Sequence, residues 1–200
     1  MTGDIIAQPL AVVKVCSAVR LLKFRVVSRL RVEWVQCGLG GIRLTEEPVN
    51  PPYEKDYDSF EGERPLRWGK RWDISNWGVL LAYDGQELVG GGVVAWKTPG
   101  SHMLEGRDDL AVLWDIRVRP ERRGQGIGRR LMDRAASWAR DRQCRWMKIE
   151  TQNTNVPACR FYAACGCRLG GVRAGAYAEL PDEVMLVWYL DLGVSCSSES

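Results

Sequence analysis

A glycine-rich turn between a strand-forming run and an amphipathic helix is the feature that most constrains the fold. The run Leu110–Val118 is apolar and rich in β-branched residues, which predicts a strand that Pro120 ends. From Gly126 to Gln143, apolar side chains recur at helical spacing and arginines occupy the other face, which predicts a helix. The junction carries three glycines in five residues, at Gly124, Gly126 and Gly128.

These glycines remove side chains from a point where backbone N–H groups converge on a helix N-terminus. Anions bind readily at such a point, so the turn predicts a binding loop for a pyrophosphate. The spacing G-x-G-x-G differs from the dinucleotide-binding G-x-G-x-x-G, and the G-K-[ST] of a nucleotide-binding P-loop is missing. On the glycines alone, a flexible turn with solvated arginines stays open as the alternative.

The rest of the sequence predicts the strands and helices of an α+β chain. Asp84-Gly85 between two β-rich runs predicts a hairpin, and Pro157 fits the first turn of a helix over Val156–Cys165. The prolines of Gly38–Asp58 predict an ordered extended loop. The other expected strands are Gly78–Tyr83, Glu87–Trp96, Met147–Thr151, Cys167–Val172 and Val184–Leu190.

Composition excludes several classes of function. A formal net charge of only +3 over 200 residues argues against a nucleic-acid binder. The apolar patches of the first 35 residues are too interrupted by charge to span a membrane, so we expect no membrane association and a cytoplasmic protein. Seven cysteines without a C-x-x-C pair and a single histidine argue against a metal site and a histidine-based triad.

The length fits one globular domain. We predict a single domain over residues 1–192, in which the N-terminal segment, residues 1–37, is poorly defined, followed by a disordered tail over 193–200. The expected assembly is a monomer or a homodimer.

Two motifs in order resemble the GNAT acetyltransferase family. The run Arg123–Gly128 is similar to that family's phosphate loop, Q/R-x-x-G-x-G/A. Family members follow the next strand with an Asn and a helix that bears a Tyr, and Asn155 and Tyr162 fall at that spacing. A narrower resemblance, to the streptothricin acetyltransferases, includes the segment Glu150–Cys159. Together the resemblances cover mainly Trp77–Leu190.

The resemblance implies a GNAT acyl-CoA N-acyltransferase fold, with a mixed, mostly antiparallel sheet flanked by helices. It also implies direct acetyl transfer from acetyl-CoA to a primary amine, with a streptothricin-like antibiotic as the expected acceptor and no metal. Arginines beside the loop, Arg122 and Arg130 included, are expected near the phosphates. The expected cofactor-binding residues are Ile116, Arg117, Val118, Arg123, Gly124, Gln125, Gly126, Ile127, Gly128, Arg129, Asn155, Ala158 and Tyr162.

Catalysis of this reaction needs two proton-handling groups. A lysine-like amine must lose a proton before it attacks, which costs roughly 4.6 kcal/mol at pH 7, and the departing thiolate needs stabilising. Tyr162 is the expected donor to the thiolate. Asp115 and Glu150 both lie in apolar strands and are candidates for the base, with a salt bridge as the structural alternative for either. Strand alternation places Asp115 on the face of Leu113 and Arg117.

A cationic acceptor would be recognised by carboxylates and aromatic rings. The expected substrate residues are Glu46, Glu47, Tyr53, Tyr57, Tyr177 and Trp188. Two other functions stay open at this point: a protein N-terminal or lysine acetyltransferase, and an acyl-CoA-binding sensor without catalysis.

Overall fold

The computed structural model describes residues 4–5, 23–59 and 65–193. Most of the N-terminal segment and nearly all of the predicted tail therefore lie outside the described residues. The strands are β1 (Asp4–Ile5), β2 (Lys23–Trp34), β3 (Ile42–Asp56), β4 (Gly78–Asp84), β5 (Glu87–Ala95), β6 (Leu110–Val118), β7 (Trp146–Gln152), β8 (Arg168–Ala174) and β9 (Val184–Asp191). The helices are α1 (Pro65–Arg71), α2 (Ile127–Arg140) and α3 (Val156–Ala164).

The chain divides into two compact units. The first contains the described residues of the ranges 1–22, 57–149 and 190–200, and the second contains 23–56 and 150–189. Strands β7 and β9 each run from one unit into the other. The single domain over 1–192 stays a prediction.

In the first unit, a sheet with the order β1-β4-β5-β6-β7 carries a helix on one face. Strands β4, β5 and β6 pair antiparallel, whereas β6 and β7 pair parallel. Helix α2 buries Ile127 and Leu131, as their helical spacing predicts. A Cβ at Gly90 would lie 2.9 Å from the Arg117 carbonyl oxygen and 3.3 Å from Ile127, so glycine permits this close packing.

The opposite face of the same sheet is covered by tryptophans. Trp68 and Trp77 are fully buried there with Val79, Val93 and other strand residues. Trp68 lies on α1, a helix for which the sequence analysis assigned no element. Large aromatic side chains bury much apolar area, so this cluster is a major component of the core of the unit.

The second unit contains the end of β7, strands β9 and β8, helix α3 and a two-stranded ribbon of β2 and β3. Asn153, just after β7, holds three of these elements together. Its backbone and side-chain amide groups form four hydrogen bonds, two with Leu30 of β2 and two with Val184 of β9, each 2.9 Å long. A buried ion pair between Lys55 and Glu183 also joins the end of β3 to the start of β9.

The segment predicted as an extended loop over Gly38–Asp58 is mainly a long strand in the structure, so that prediction is partly wrong. Residues 42–56 are extended as expected, but they pair with β2. The register shifts between Val26 and Ser28, which leaves residues 49–52 of β3 outside the pairing. Pro51 and Pro52 fall in this gap, where their missing N–H groups cost no ladder hydrogen bond.

Candidate active site

A β-bulge at Trp114 sets the geometry of β6. On β5, Val94 pairs with Leu113 and the adjacent Val93 pairs with Asp115, so Trp114 is an extra residue without a partner in the ladder. The bulge moves Asp115 to the face of Val93, which is the tryptophan-covered face. The prediction that Asp115 shares the face of Leu113 is therefore wrong, because strand alternation does not continue across a bulge.

Asp115 forms a buried ion pair with Arg117. The two side chains are only 6% and 2% exposed. The Arg117 Nε–H group donates to both carboxylate oxygens, at 2.9 and 3.1 Å, and Nη2 donates to Oδ2 as well. The salt bridge considered as the alternative for Asp115 is thus present, and the lone pairs that a base would use are engaged.

The beginning of β6 pairs with both β5 and β7, whereas its end pairs with β5 alone. Pairing with β7 extends from Leu110 to Val112 only, where Val112 lies beside Lys148. The expected cofactor-binding residues Ile116 and Val118 pair on the β5 side, with glycines 92 and 90. Within the described chain, the β7-facing edge of this stretch is not part of a ladder and can accept another extended chain.

The glycine-rich loop leads from β6 into α2. Gly124 and Gly126 both have φ of +76°, a conformation that favours glycine. Gly126 is the N-cap of α2, and the first backbone bond into the helix runs from the Arg130 N–H to the Gly126 carbonyl at 3.1 Å. The N–H groups of the first turn therefore have no intrahelical acceptor.

The space above this loop fits an anion. A Cβ built at Gly124 would meet no atom within 4 Å, and one at Gly126 would meet only the Arg130 guanidinium, at 3.4 Å. Arg130 Nη1 donates to the Gln125 carbonyl at 3.5 Å, and Arg123 Nε donates to the Val118 carbonyl at 3.3 Å. Two exposed guanidinium groups thus lie against the loop backbone, beside N–H groups that favour negative charge.

Other arginines near the loop are held by carboxylates. Arg122 bonds Asp84 at 3.1 Å and Glu87 at 3.0 Å, and the hydrogen bond with Glu87 is the main cause that raises the Arg122 pKa. Arg129 is exposed and pairs with Asp133 one turn along α2, at 3.1 Å. The expected phosphate contact is therefore better met by Arg123 and Arg130 than by Arg122 or Arg129.

In the second unit, the structure brings two expected site residues together. The Tyr177 hydroxyl donates a hydrogen bond of 2.9 Å to Glu150 Oε1. Glu150 lies at the end of β7 and is half-buried. These residues are 27 positions apart in the chain, so their meeting depends on the tertiary fold.

Asn155 and Tyr162 both belong to α3. Asn155 is the N-cap, and its Oδ1 accepts a hydrogen bond from the Ala158 N–H at 3.2 Å. Tyr162 is buried, with its ring centre 5.4 Å from Phe161 and 6.5 Å from Trp188. Among the described residues, the buried indole N–H of Trp188 has no hydrogen-bond partner, and a bound polar group can satisfy this donor.

The expected substrate carboxylates Glu46 and Glu47 are already paired on the ribbon. Arg160 and Ser28 bond Glu46, the latter at 2.7 Å, while Arg29 and Arg31 bond Glu47 at 2.7 and 3.3 Å. Pairing with arginine reduces their attraction for a cationic acceptor. Of the tyrosines expected beside them, Tyr57 is half-buried and Tyr53 is 42% exposed.

Cysteine chemistry and metal binding find no support in the described residues. Burial raises the pKa of the Cys159 thiol to about 12 and that of Cys144 to about 11, so neither is a thiolate near neutral pH. Residues 4–5, 23–59 and 65–193 contain no group of three or more potential metal ligands. Among the same residues, no helix is long and apolar enough to cross a membrane.

Sequence reasoning missed the tryptophan network of α1 and β6. Trp68 and Trp72 are four residues apart, a spacing that puts both on one side of a helical turn. This spacing was the signal in the sequence from which α1 and its buried face could have been predicted. The bulge that turns Trp114 toward them leaves no mark in the apolar pattern of β6.

Comparison with known proteins identifies the family. Residues 44–167 match the model of the Acetyltransferase (GNAT) family. A streptothricin acetyltransferase of Escherichia coli is 34% identical over 152 residues, which are 74% of this chain and 76% of that protein. Streptothricin acetyltransferase A of Bacillus subtilis is 33% identical over 72% of this chain and 77% of its own length.

Solved structures agree with this assignment and confirm the predicted α+β fold. A nourseothricin acetyltransferase structure superimposes with a TM-score of 0.69 at 25% identity, over 96% of this chain and 98% of that chain. An acetyltransferase of Bacillus anthracis str. Ames in complex with acetyl coenzyme A has a TM-score of 0.66 at 31% identity, covering 84% and 87%. This chain belongs to the GNAT family and is an acetyl-CoA-dependent N-acetyltransferase.

Proposed function

We propose that this protein acetylates a primary amine of a streptothricin-type antibiotic and so confers resistance to it. The observation that carries the substrate is the similarity to streptothricin acetyltransferases from two organisms over about three quarters of each chain. The acceptor is thus a polyamine-like small molecule. We place the reaction in the cytoplasm, where acetyl-CoA is available.

The proposed cofactor contacts follow from the loop and from the end of β6. Acetyl-CoA supplies the acetyl group as a thioester, and the CoA thiolate is the leaving group. We assign its phosphates to the N–H groups of the loop from Gly124 to Gly128, with Arg123 and Arg130 as the neighbouring cations. The unpaired edge at Ile116 and Val118 is suitable for polar groups of its arm.

Glu150 is the proposed base that accepts the proton of the amine. Both oxygens of Asp115 accept hydrogen bonds from the Arg117 guanidinium, which occupies the atoms that would take the proton, whereas Glu150 Oε1 accepts its hydrogen bond from the phenol of Tyr177. The hydrogen bond from Tyr177 holds the carboxylate of Glu150 in one orientation. Deprotonation of the amine costs roughly 4.6 kcal/mol at pH 7. A carboxylate held in one orientation within reach of the amine lowers this cost by accepting the proton.

Tyr162 is the proposed donor to the thiolate. Its burial on α3 excludes water from around the phenol, which strengthens a hydrogen bond to a developing negative charge. Since a phenol has a reference pKa of about 10 and a thiol about 8.5, hydrogen bonding stabilises the thiolate at less cost than full proton transfer.

Release of free thiol from acetyl-CoA in the presence of streptothricin tests these assignments. Glu150→Gln and Tyr162→Phe are expected to lower kcat by about a hundredfold or more. Glu179→Gln, an exposed carboxylate of the same unit, is the matched control and is expected to retain kcat. A wild-type enzyme that turns over peptides and lysines but not streptothricin would overturn the substrate assignment, and binding of acetyl-CoA without any turnover would overturn the reaction.

A further inference from the structure

Four tryptophans of the first unit form one contact network. The ring centre of Trp114 lies 4.8 Å from that of Trp77, and 6.3 Å from those of Trp68 and Trp72. Trp68 and Trp77 are fully buried and belong to the core. Trp72 and Trp114 are only partly buried, so they present ring surface at the rim of the cluster.

The two rim tryptophans meet nearly at right angles. Their interplanar angle is 71°, so the face of one indole adjoins the edge of the other and the pair forms an aromatic corner. Trp114 is the extra residue of the β6 bulge, and Trp72 directly follows α1, where its N–H donates to the Trp68 carbonyl at 2.8 Å. Both positions are therefore held by backbone geometry.

A cation of the chain itself already lies over one ring of this corner. The Arg71 guanidinium lies over the Trp72 ring, 4.7 Å from its centre, and Arg71 is exposed. The electron-rich face of an indole attracts cations, and the attraction strengthens as water is excluded. Asp73 follows Trp72 in the chain, and hydrogen bonds from Ser75 lower the pKa of its carboxyl, which keeps a negative charge in this segment.

We propose that Trp72 and Trp114 bind a primary alkylammonium group of the acceptor, and that Arg71 covers the Trp72 ring until the acceptor displaces it. The inference deepens the proposed function and rests on it for the acceptor class. An ammonium fits this corner because the electron-rich ring face attracts a cation, whereas a neutral alkyl chain gains no such attraction. The residues concerned are distinct from the proposed base and thiolate donor, so the corner contributes binding energy and not proton transfer.

If the acceptor displaces Arg71 from the Trp72 ring, substitutions of Trp72 and of Arg71 are expected to change the KM for streptothricin in opposite directions. Trp72→Leu removes the ring face and is expected to raise the KM for streptothricin about fivefold, with kcat little changed. Arg71→Ala removes the competing cation and is expected to lower that KM about twofold. If the tryptophan cluster were purely structural, loss of the exposed Arg71 would not lower the KM for streptothricin.

A matched control is available just after α2. Arg142 lies over the Trp138 ring at 3.7 Å from its centre, the same kind of pair at another place in the unit. Arg142→Ala is expected to leave the KM for streptothricin within the error of the wild type. Trp72→Phe keeps an aromatic face with less volume change. Its KM for streptothricin is expected to lie between those of the wild type and Trp72→Leu.

Binding is also measured without turnover, by titrating the isotope-labelled protein with cadaverine and recording the indole N–H signals by NMR. The expected result is a saturable shift of the Trp72 and Trp114 signals, weaker in Trp72→Leu, stronger in Arg71→Ala and missing with pentanol. Shifts with cadaverine and no turnover of streptothricin would remove the proposed acceptor but keep the cation site. No shift with cadaverine, or equal shifts with pentanol, or an unchanged KM in Arg71→Ala, would overturn the inference.

Discussion

Replacing Asp115 alone is expected to cost far more stability than replacing Asp115 and Arg117 together. Asp115→Asn keeps the side-chain volume but leaves the Arg117 guanidinium, only 2% exposed, without its counter-charge. Loss of one partner of a buried pair costs about 3–5 kcal/mol, a large fraction of a typical total of about 5–15 kcal/mol. The double variant Asp115→Leu/Arg117→Met buries no unpaired charge and is expected to lose less than either single variant, since apolar replacement of a buried pair is often neutral.

The measurement is urea unfolding of the wild type, Asp115→Leu, Arg117→Met and the double variant, which together form a thermodynamic cycle. The expected coupling free energy is several kcal/mol, within about the range known for buried charge pairs. In Asp115→Asn molecules that remain folded, kcat at saturating substrates is expected to fall less than tenfold, because Glu150 is the proposed base. Equal costs for single and double variants would refute the structural reasoning, and a stable Asp115→Asn enzyme with a hundredfold lower kcat would make Asp115 the base.

Three further predictions concern the loop, the cap of α3 and the cysteines. Gly126→Ala forces an alanine to φ of +76°, which costs about 1–2 kcal/mol. In steady-state assays it is expected to raise the KM for acetyl-CoA and to leave the KM for the amine unchanged. Asn155→Ala removes the acceptor of the Ala158 N–H and is expected to lower stability by about 1 kcal/mol in urea, whereas Asn155→Asp, which keeps a capping oxygen, is expected to restore it. Because burial raises the pKa of Cys159 to about 12, brief treatment with iodoacetamide at neutral pH is expected to alkylate the exposed Cys37 and spare Cys159 in mass spectra; fast labelling of Cys159 would contradict its burial.

Local signals in the sequence carried much of the fold. Helix α2 was predicted from Gly126 and is found over Ile127–Arg140, and the Asp84-Gly85 hairpin and the β6 strand also lie where expected. The ribbon was not predicted, although a glycine-containing turn over residues 35–41 joins its strands and Trp34 pairs with Ile42, because the prolines of β3 were interpreted as marks of a loop. Its pairing joins residues as distant as Lys23 and Asp56, and such pairing depends on long-range register.

The sequence by itself determined the glycine-rich loop, the helix that follows it and the family, because these depend on residue types at close spacing. Only the tertiary structure decided the positions of the carboxylates. The bulge at Trp114 moves Asp115 and Arg117 together away from the face of Leu113, and the fold brings Tyr177 to Glu150 from 27 residues away. A bulge changes the face of every later residue without changing the apolar pattern, and contacts between distant residues are set by packing, so neither can be derived from local sequence.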